Sequence, residues 1–323
     1  MSEQSSRPPA APDPDGWIVA IPAKNEAARL PACLAALDEA AARSALPVRV
    51  LVLANDCDDE TAAVAERIGA ATNHLEMTVR EATLPSHLAH AGGARRRCVA
   101  AARAVPGSAN PLLLTTDADA RLDPNAFARM EAAFARGASV VLAKIECCPD
   151  PFDPVPQAVL DWGTPAVLWR HAVRQLAETV RLGVQPDPPC HDDYGGAGIA
   201  ATLSAYEALG GFPAVPCEED LAFVRAADAA GLSVDRRSGA TVHVLARATG
   251  RAVGGMATAL AENAVKAAAG APRLVERHEL TVSRLLMDPS PANVFDDAPA
   301  ALEPVDQALL GLRTATARYP RAQ

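Results

Sequence analysis

The 323-residue chain lacks the features that would place it in a membrane or outside the cell. No apolar run is long enough to span a bilayer. Residues 1–16 have no hydrophobic stretch typical of a secretory signal, and their Pro, Ser and Ala content predicts a disordered leader. The seven cysteines include no Cys-x-x-Cys pair, which argues against a zinc site or a disulfide framework. These absences predict a cytoplasmic protein with reduced thiols.

Basic residues are also in short supply. The 39 acidic and 30 basic side chains give a net charge of −9, which argues against nucleic acid or an anionic membrane as the main partner. An anionic substrate must therefore be bound by a local device, such as a metal ion or a few arginines. Half of the residues are hydrophobic, which is enough for a sizeable core in one large α/β domain with a tail.

Short apolar runs alternate with helical patterns over the first 145 residues. The runs predict buried strands at 17–21, 48–53, 75–79, 111–115 and 139–145. Such alternation predicts a mainly parallel central sheet flanked by helices on both faces. The last part of the chain, 256–323, predicts a mainly helical extension with a helix at 300–312.

Polar clusters follow three of the predicted strands. They occupy 22–26, 55–59 and 117–119, and ligands of parallel sheets bind beyond the carboxyl ends of strands. Asp117 and Asp119 lie one residue apart after a buried strand, so together they can serve a hard divalent cation and a ribose. The alternative is a solvated turn that leads to the helix at Pro124.

Five motifs resemble, in order and spacing, those of family 2 glycosyltransferases with the GT-A fold. They are Ile21-Pro-Ala-Lys-Asn-Glu26, Leu53-Ala-Asn-Asp-Cys-Asp-Asp-Glu-Thr61, Asp117-Ala-Asp119, Gly195-Gly-Ala-Gly198 with Gly210-Gly-Phe212, and Glu218-Glu-Asp220. The resemblance covers residues 17–255. It implies a nucleotide-sugar-binding half at 17–150 and an acceptor-binding, catalytic half of the same domain at 151–255, with 256–323 as a C-terminal extension.

The resemblance also implies roles for the strand-end residues. The donor nucleotide would be bound by Pro22, Ala23, Glu26, Asp56 and Asp117. The cation, Mn²⁺ or Mg²⁺, would be bound by Asp119, Asp117 and a later histidine, His243. For an isolated histidine such as His243, a packed or surface position is the alternative.

Basic groups near two glycine-rich segments suggest contacts to the donor phosphates. Gly92-Gly93 opens a helix that carries Arg95 to Arg97, and we take Arg95 as the donor-facing residue. Arg247 and Arg251 precede Gly254-Gly255 in a segment that would close over the diphosphate. A solvated basic helix face and a plain arginine-rich turn are the alternatives.

The acceptor side centres on Asp220. The resemblance makes Asp220 the general base, with Glu219 as the second candidate, and implies that Gly196, Gly198 and Gly211 shape the acceptor segment. An acidic first turn also stabilises a helix N-terminus, and both readings can hold together. The segment 191–193 predicts acceptor-pocket lining or loop polarity. Trp162 and Trp169, seven residues apart on a helix, predict core packing, with stacking on a sugar as the alternative.

The predicted function is inverting transfer of one sugar from a UDP- or GDP-sugar to a small or soluble acceptor. No Gln-x-x-Arg-Trp motif follows Asp220, which argues against a processive synthase. The loop after the second strand has Asn55-Asp-Cys57 where the family more commonly has Asp-Gly-Ser. The identity of the donor nucleotide therefore stays open. The alternatives are a sugar-phosphate nucleotidyltransferase and a non-catalytic nucleotide-sugar-binding protein. The sequence leaves the sugar, the acceptor and the oligomeric state open.

Overall fold

The computed structural model describes residues 13–250, 254–296, 299 and 301–322. The strands β1 to β12 are, in order, Trp17–Ala23, Val48–Asn55, Leu75–Ala82, Leu112–Thr115, Arg121–Leu122, Val140–Leu142, Lys144–Pro149, Ile199–Thr202, Val234–Asp235, Thr241–Ala246, Leu274–Glu276 and Leu302–Pro304. The helices α1 to α11 are, in order, Leu30–Ala41, Thr61–Gly69, Ala91–Arg103, Ala126–Ala135, Gln157–Leu182, Leu203–Ala208, Glu219–Ala229, Met256–Ala268, His278–Met287, Ala292–Phe295 and Val305–Thr316.

Seven strands form a central sheet in the order β3-β2-β1-β4-β8-β6-β9. β3, β2, β1 and β4 are parallel, whereas β8 runs antiparallel between β4 and β6. Odd-numbered residues of β1 face one hydrophobic core with α1 and α4, and even-numbered ones face a second core with α3 and α7. A strand buried on both faces reads as a continuous apolar run. The predicted mainly parallel sheet flanked by helices is confirmed.

The predicted strand at 139–145 is two strands. β6 ends at Leu142 and stays in the central sheet, while β7 begins at Lys144 and pairs with β10 in a second sheet, β5-β10-β7. Between them, the backbone N–H of Ala143 donates to Gly198 O at 2.8 Å, so the chain changes sheets without losing that bond. The second sheet brings the end of β10 towards the residues that follow β4.

The C-terminal extension is mainly helical but not entirely so. β11 and β12 form an antiparallel pair, and the final helix begins at Val305 rather than at 300 because the strand Leu302–Pro304 precedes it. A third hydrophobic cluster joins this extension to α5 through Val173, Leu176, Leu285 and Leu312. Among the described residues, no helix has the length and apolar character needed to cross a bilayer.

The predicted leader lies mostly outside the described residues, which begin at 13. Within its last four residues, the Asp15 carboxylate accepts hydrogen bonds from the backbone N–H groups of Ala109 and Asn110 at 2.7 and 3.1 Å. The chain is therefore held in place just before β1 begins.

Candidate functional site

A cavity of about 730 Å³ lies beyond the carboxyl ends of β1, β2 and β4. It brings together most of the residues that the sequence pointed to, although they span more than 200 positions. Those that line it are Pro22, Glu26, Asp56, Arg95, Asp117, Asp119, Gly196, Glu219, Asp220 and Arg247. Because β1 is paired in parallel with both β2 and β4, the segments that follow these three strands meet at one edge.

The segments after β1 and β2 hold each other in place. Asn25 and Asp56 both have positive φ, at 52° and 51°, where the short polar side chain lowers the cost of this conformation. The Asn25 side chain accepts a hydrogen bond from Asp58 N at 2.7 Å, and Glu26 N donates to Thr61 Oγ1 at 2.8 Å. The Asp56 carboxylate accepts from Leu84 N at 2.9 Å. The backbone thereby presents Asp56 and Glu26 to the cavity.

The carboxylates of Glu26 and Asp119 both pair with the guanidinium group of Arg247. Its Nη2 donates to Glu26 Oε1 at 3.0 Å and also to Asp119 Oδ2. Both carboxylates are nearly inaccessible to solvent. Burial, and then the negative charge of Asp117, raise the pKa of Asp119 to about 6, while Arg247 opposes the shift. The site therefore concentrates more negative charge than the guanidinium neutralises.

Arg95 is the hub that connects the two sides of the cavity. Its guanidinium donates to Glu219 Oε1 at 2.9 Å, to Asp117 Oδ1 at 2.9 Å, to Gly196 O at 2.8 Å and to Thr115 Oγ1. A Cβ at Gly196 would lie 2.3 Å from Arg95 Nη2, so only glycine permits this approach. The negative charges of Asp117 and Glu219 offset the burial of Arg95 and raise its pKa. This arginine positions protein groups, with its donors directed at protein acceptors.

Asp220 and Glu219 are neighbours with different environments. Glu219 is buried in its ion pair with Arg95, at 2.9 Å. Asp220 instead accepts from backbone N–H groups, from Gly196 to Oδ2 at 2.9 Å and from Leu221 to Oδ1 at 2.8 Å. Burial, and then the charge of Glu219, raise the pKa of Asp220 above its usual value. Asp220 is thus held rigidly at the cavity with a raised proton affinity.

Some predicted residues lie elsewhere. Ala23 is 1% exposed and packs in the core, because side chains of β1 alternate between faces. Gly198 packs against the core, where a Cβ would lie 2.8 Å from Ala143 Cβ. Gly211 has φ of 75° in the turn after α6, against Tyr206. The glycines Gly198 and Gly211 therefore serve packing and chain reversal, and Arg251 lies outside the described residues.

His243 is not directed at the cavity. On β10 it lies opposite Glu146 of β7, and its Nδ1 is 3.6 Å from Glu146 Oε2 and 3.9 Å from Cys148 Sγ. Its neighbours Val242 and Val244 are buried on the other face of the strand. The structure thus separates His243 from Asp117 and Asp119, which corrects the predicted three-residue cation site.

Carboxylates at the cavity nevertheless fit a hard divalent cation. Asp117, Asp119 and Glu26 all line the cavity, and burial, followed by the charges of these three carboxylates, raises the pKa of the Cys33 thiol. Oxygen ligands of this kind suit Mg²⁺ or Mn²⁺. A separate group with converging ligand atoms, His278, Glu279 and Glu303, lies in the C-terminal extension at the start of α9.

Sequence reasoning missed an ion pair that supports the acidic cluster. Asp150, completely buried at the end of β7, pairs with Arg29 at 2.7 Å, and Arg29 Nη1 lies 3.9 Å from Glu26 Oε2. Arg29 lies just before α1, and Asp150 lies in a Pro-rich connector after β7. No periodicity or motif marks them, since their pairing depends on the second sheet.

The chain was compared with protein families, with curated proteins and with solved structures. The family model described as Glycosyl transferase family 2 matches residues 18–182, which is just over half of the chain. No curated protein matches the sequence. Among solved structures, the chain is similar to S. aureus TarS 1-349, with 14% identity, a TM-score of 0.45 and coverage of 72% of this chain. For the crystal structure of that fragment in complex with UDP-GlcNAc the values are 16%, 0.48 and 73%. In both cases the chain spans 60% of the TarS fragment.

Proposed function

Because this chain belongs to glycosyl transferase family 2, and has the GT-A fold that its sequence predicted, we propose that it transfers one sugar from a nucleoside-diphosphate donor to an acceptor hydroxyl, with inversion at the anomeric carbon. One observation carries the proposal. A single cavity holds a cluster of buried carboxylates on one side and a separately fixed carboxylate, Asp220, on the other. The first arrangement suits a donor diphosphate with its cation, and the second suits an acceptor.

The donor nucleoside would lie against the segments that follow β1 and β2. Pro22 and Asp56 both line the cavity there, and the Asp56 carboxylate is oriented by its bond to Leu84 N. Arg95 would support this side indirectly, because it fixes Asp117 and Gly196 rather than pointing its donors into open space. We accordingly assign residues 17–150 to donor binding and residues 151–255 to the acceptor and the base.

Asp117, Asp119 and Glu26 would hold a divalent cation, Mn²⁺ or Mg²⁺, which when bound neutralises the charge that develops on the departing diphosphate. In the structure, Arg247 bonds to two of these carboxylates. Arg247 would therefore release Asp119 and Glu26 when donor and cation enter, and pair with the diphosphate instead. This assignment keeps the phosphate role that the sequence predicted for Arg247.

Asp220 would take the proton from the acceptor hydroxyl. The oxygen then forms a bond to the anomeric carbon as the bond from that carbon to the diphosphate breaks, and the nucleoside diphosphate leaves with the electron pair. The raised pKa of Asp220 makes it a stronger base than an exposed aspartate. Its two backbone hydrogen bonds keep the carboxylate in place before the acceptor arrives. Glu219 would not compete, because Arg95 holds its carboxylate.

Calorimetry with UDP-glucose, UDP-GlcNAc and GDP-mannose, with and without Mn²⁺, tests the proposal. We expect at least one donor to bind with Mn²⁺ and the Asp119→Asn variant to lose about 100-fold in affinity, as variants of metal-supporting residues do. The matched control is Asp123→Asn, since Asp123 pairs with Arg129 away from the cavity. Equal donor affinity in the Asp119 variant and the wild type would disprove the cation assignment.

A further inference from the structure

A second cavity, of about 860 Å³, lies between the catalytic half and the C-terminal extension. Its walls come from α5, from the loop at 192–194, from α7 and from the segment that runs from β11 through α10. This volume falls in the range of small-molecule sites, about 300–1,000 Å³. Neither the motifs nor the proposed donor site use the residues that line it, apart from the loop.

The second cavity adjoins the donor cavity at the candidate base. Tyr194 lines both cavities, and Leu221, which lines the second one, directly follows Asp220 in α7. A molecule bound in the second cavity can therefore extend past Tyr194 towards the Asp220 carboxylate. Such a position suits an acceptor whose larger part is bound in the second cavity and whose reacting hydroxyl lies beside Asp220.

The arginines that line the second cavity are held in ion pairs, in which four guanidinium groups share three carboxylates. Each of the four arginines that line it in the described part of the chain has a carboxylate partner. The pairs are Arg170 and Arg174 with Asp192, Arg225 with Asp296, and Arg236 with Asp228. An anion that entered would compete with these carboxylates for the guanidinium groups. Hydroxyl groups would not, because paired guanidinium and carboxylate groups keep further donors and acceptors.

Aromatic surfaces alternate with these polar groups. Trp169 and Phe295 pack edge to face with ring centroids 5.9 Å apart, and Arg170 lies over the rings of both Tyr194 and Phe295, at 4.8 and 5.2 Å. The Trp169 indole N–H is buried and has no hydrogen-bond partner among the described residues. A buried donor of this kind normally finds an acceptor.

We propose that the second cavity binds a neutral saccharide as the acceptor, or the part of the acceptor next to the reacting hydroxyl. Aromatic faces pack on the C–H faces of sugar rings, and paired Arg and Asp side chains can donate to and accept from hydroxyl groups. The inference rests on the proposed transfer reaction, because that reaction needs an acceptor beside Asp220. It also gives the C-terminal extension a role as one wall of the acceptor site.

Binding is measured without transfer, on the full chain. Trp162 lines neither cavity, and the Trp162→Phe variant keeps Trp17 and Trp169 as its tryptophans. The fluorescence emission of this variant therefore reports on Trp169, with the buried Trp17 as the reference. The probes are methyl β-glucopyranoside, methyl α-mannopyranoside and cellobiose as neutral saccharides, and glucuronate and glucose 6-phosphate as charged ones. We expect at least one neutral saccharide to change the emission and neither charged probe to do so.

Two variants test the location by saturation-transfer NMR with the neutral saccharide that binds best. Trp169→Phe keeps the ring but removes the N–H, and Ala229→Phe places a ring into the cavity from the exposed end of α7. Each should weaken saccharide binding at least tenfold and leave donor binding unchanged within twofold. Unchanged saccharide binding in both variants, or tighter binding of the charged probes, overturns the inference.

The two proposals fail in different ways. If no neutral saccharide binds while Mn²⁺ and a nucleotide sugar do, the acceptor inference is wrong and the transfer reaction stands. If saccharides bind as expected and no nucleotide sugar binds with any divalent cation, the proposed transfer is wrong, and the second cavity is a saccharide site of some other activity.

Discussion

The proposed donor side and the proposed acceptor side of this protein are built in different ways. On the donor side, Glu26, Asp56 and Asp119 each follow a strand of one sheet, and the parallel pairing of β1 with β2 and β4 brings them together. On the acceptor side, Asp220 begins a helix and Trp169 lies in the middle of another. The sheet therefore positions the residues assigned to the donor, whereas the packing of helices and loops positions those assigned to the acceptor.

Their supporting cores differ as well. The donor side rests on two hydrophobic cores, one on each face of the central sheet, whereas the acceptor wall rests on the small third cluster around Leu176 and Leu312. The first arrangement should be the more rigid, because more of its backbone is fixed in the sheet. Four substitutions test this difference, and we give them in order of decreasing effect.

Asp220→Asn should lower kcat about 1,000-fold, in the middle of the range for removal of a general base. Donor affinity should change less than twofold, because the proposal places Asp220 against the acceptor and not the donor. In the wild type, kcat should fall as the pH drops through the raised pKa of Asp220, since the protonated carboxyl cannot accept the hydroxyl proton. Initial rates against pH measure both effects, and Asp161→Asn, on an exposed turn of α5, is the control. A kcat near the wild-type value would remove Asp220 from the base position.

Leu312→Ala should lower the free energy of unfolding by about 4 kcal/mol, the cost of a large cavity in a packed cluster. Leu312 is fully buried between α11 and α5. Urea titrations followed by tryptophan emission should show earlier loss of the Trp169 signal than of the Trp17 signal if the acceptor wall opens separately. The counterpart Leu114→Ala, in the central sheet, should shift both signals together. Coincident shifts in both variants would show that the two sides unfold as one unit.

His191→Gln should reduce the loss of stability in acid. Burial lowers the pKa of His191 to about 4, and its neutral ring donates from Nε2 to Leu142 O and accepts at Nδ1 from Asp193 N. In the unfolded chain His191 has its ordinary pKa of about 6.5 and binds a proton below that pH, whereas in the folded chain it stays neutral down to about pH 4. The free energy of unfolding therefore falls as the pH drops from about 6.5 towards 4. The loss amounts to about 3 kcal/mol, at about 1.4 kcal/mol for each pH unit. Thermal unfolding across this range, compared with the variant, measures it, and identical pH slopes would contradict it.

Arg247→Met should raise the affinity for Mn²⁺ in the absence of donor about tenfold, which corresponds to about 1.4 kcal/mol. The guanidinium holds the Glu26 and Asp119 carboxylates, so it competes with a cation for the same oxygens. Calorimetry of the donor-free protein measures the change, with Arg67→Met on the exposed face of α2 as the control. Equal affinity in wild type and variant would mean that the cation binds away from these two carboxylates.

Most of the donor side could be predicted from the sequence. Each polar cluster follows an apolar run directly, so local pattern found the clusters at 22–26, 55–59 and 117–119. The family resemblance then singled out Glu26 and Asp56, which line one cavity with Asp119. His243 was predicted as a cation ligand, whereas its imidazole lies beside Glu146 and Cys148 and is not among the residues that line the cavity. Arg95 was predicted from its position beside Gly92 and Gly93. Its contacts across the cavity also depend on Gly196, about a hundred residues later in the chain.

The sequence by itself determined the α/β alternation, the order of the motifs and the carboxylates at strand ends, because these depend on neighbours a few residues apart. Only the tertiary structure shows that Arg247 pairs with both Glu26 and Asp119, and that Arg95 holds Glu219 but not Asp220. It also shows that Tyr194 lines two cavities. The physical reason is that charge pairing and cavity shape are set by distances between segments far apart in the chain. Those distances exist only after the two sheets and the C-terminal extension have packed.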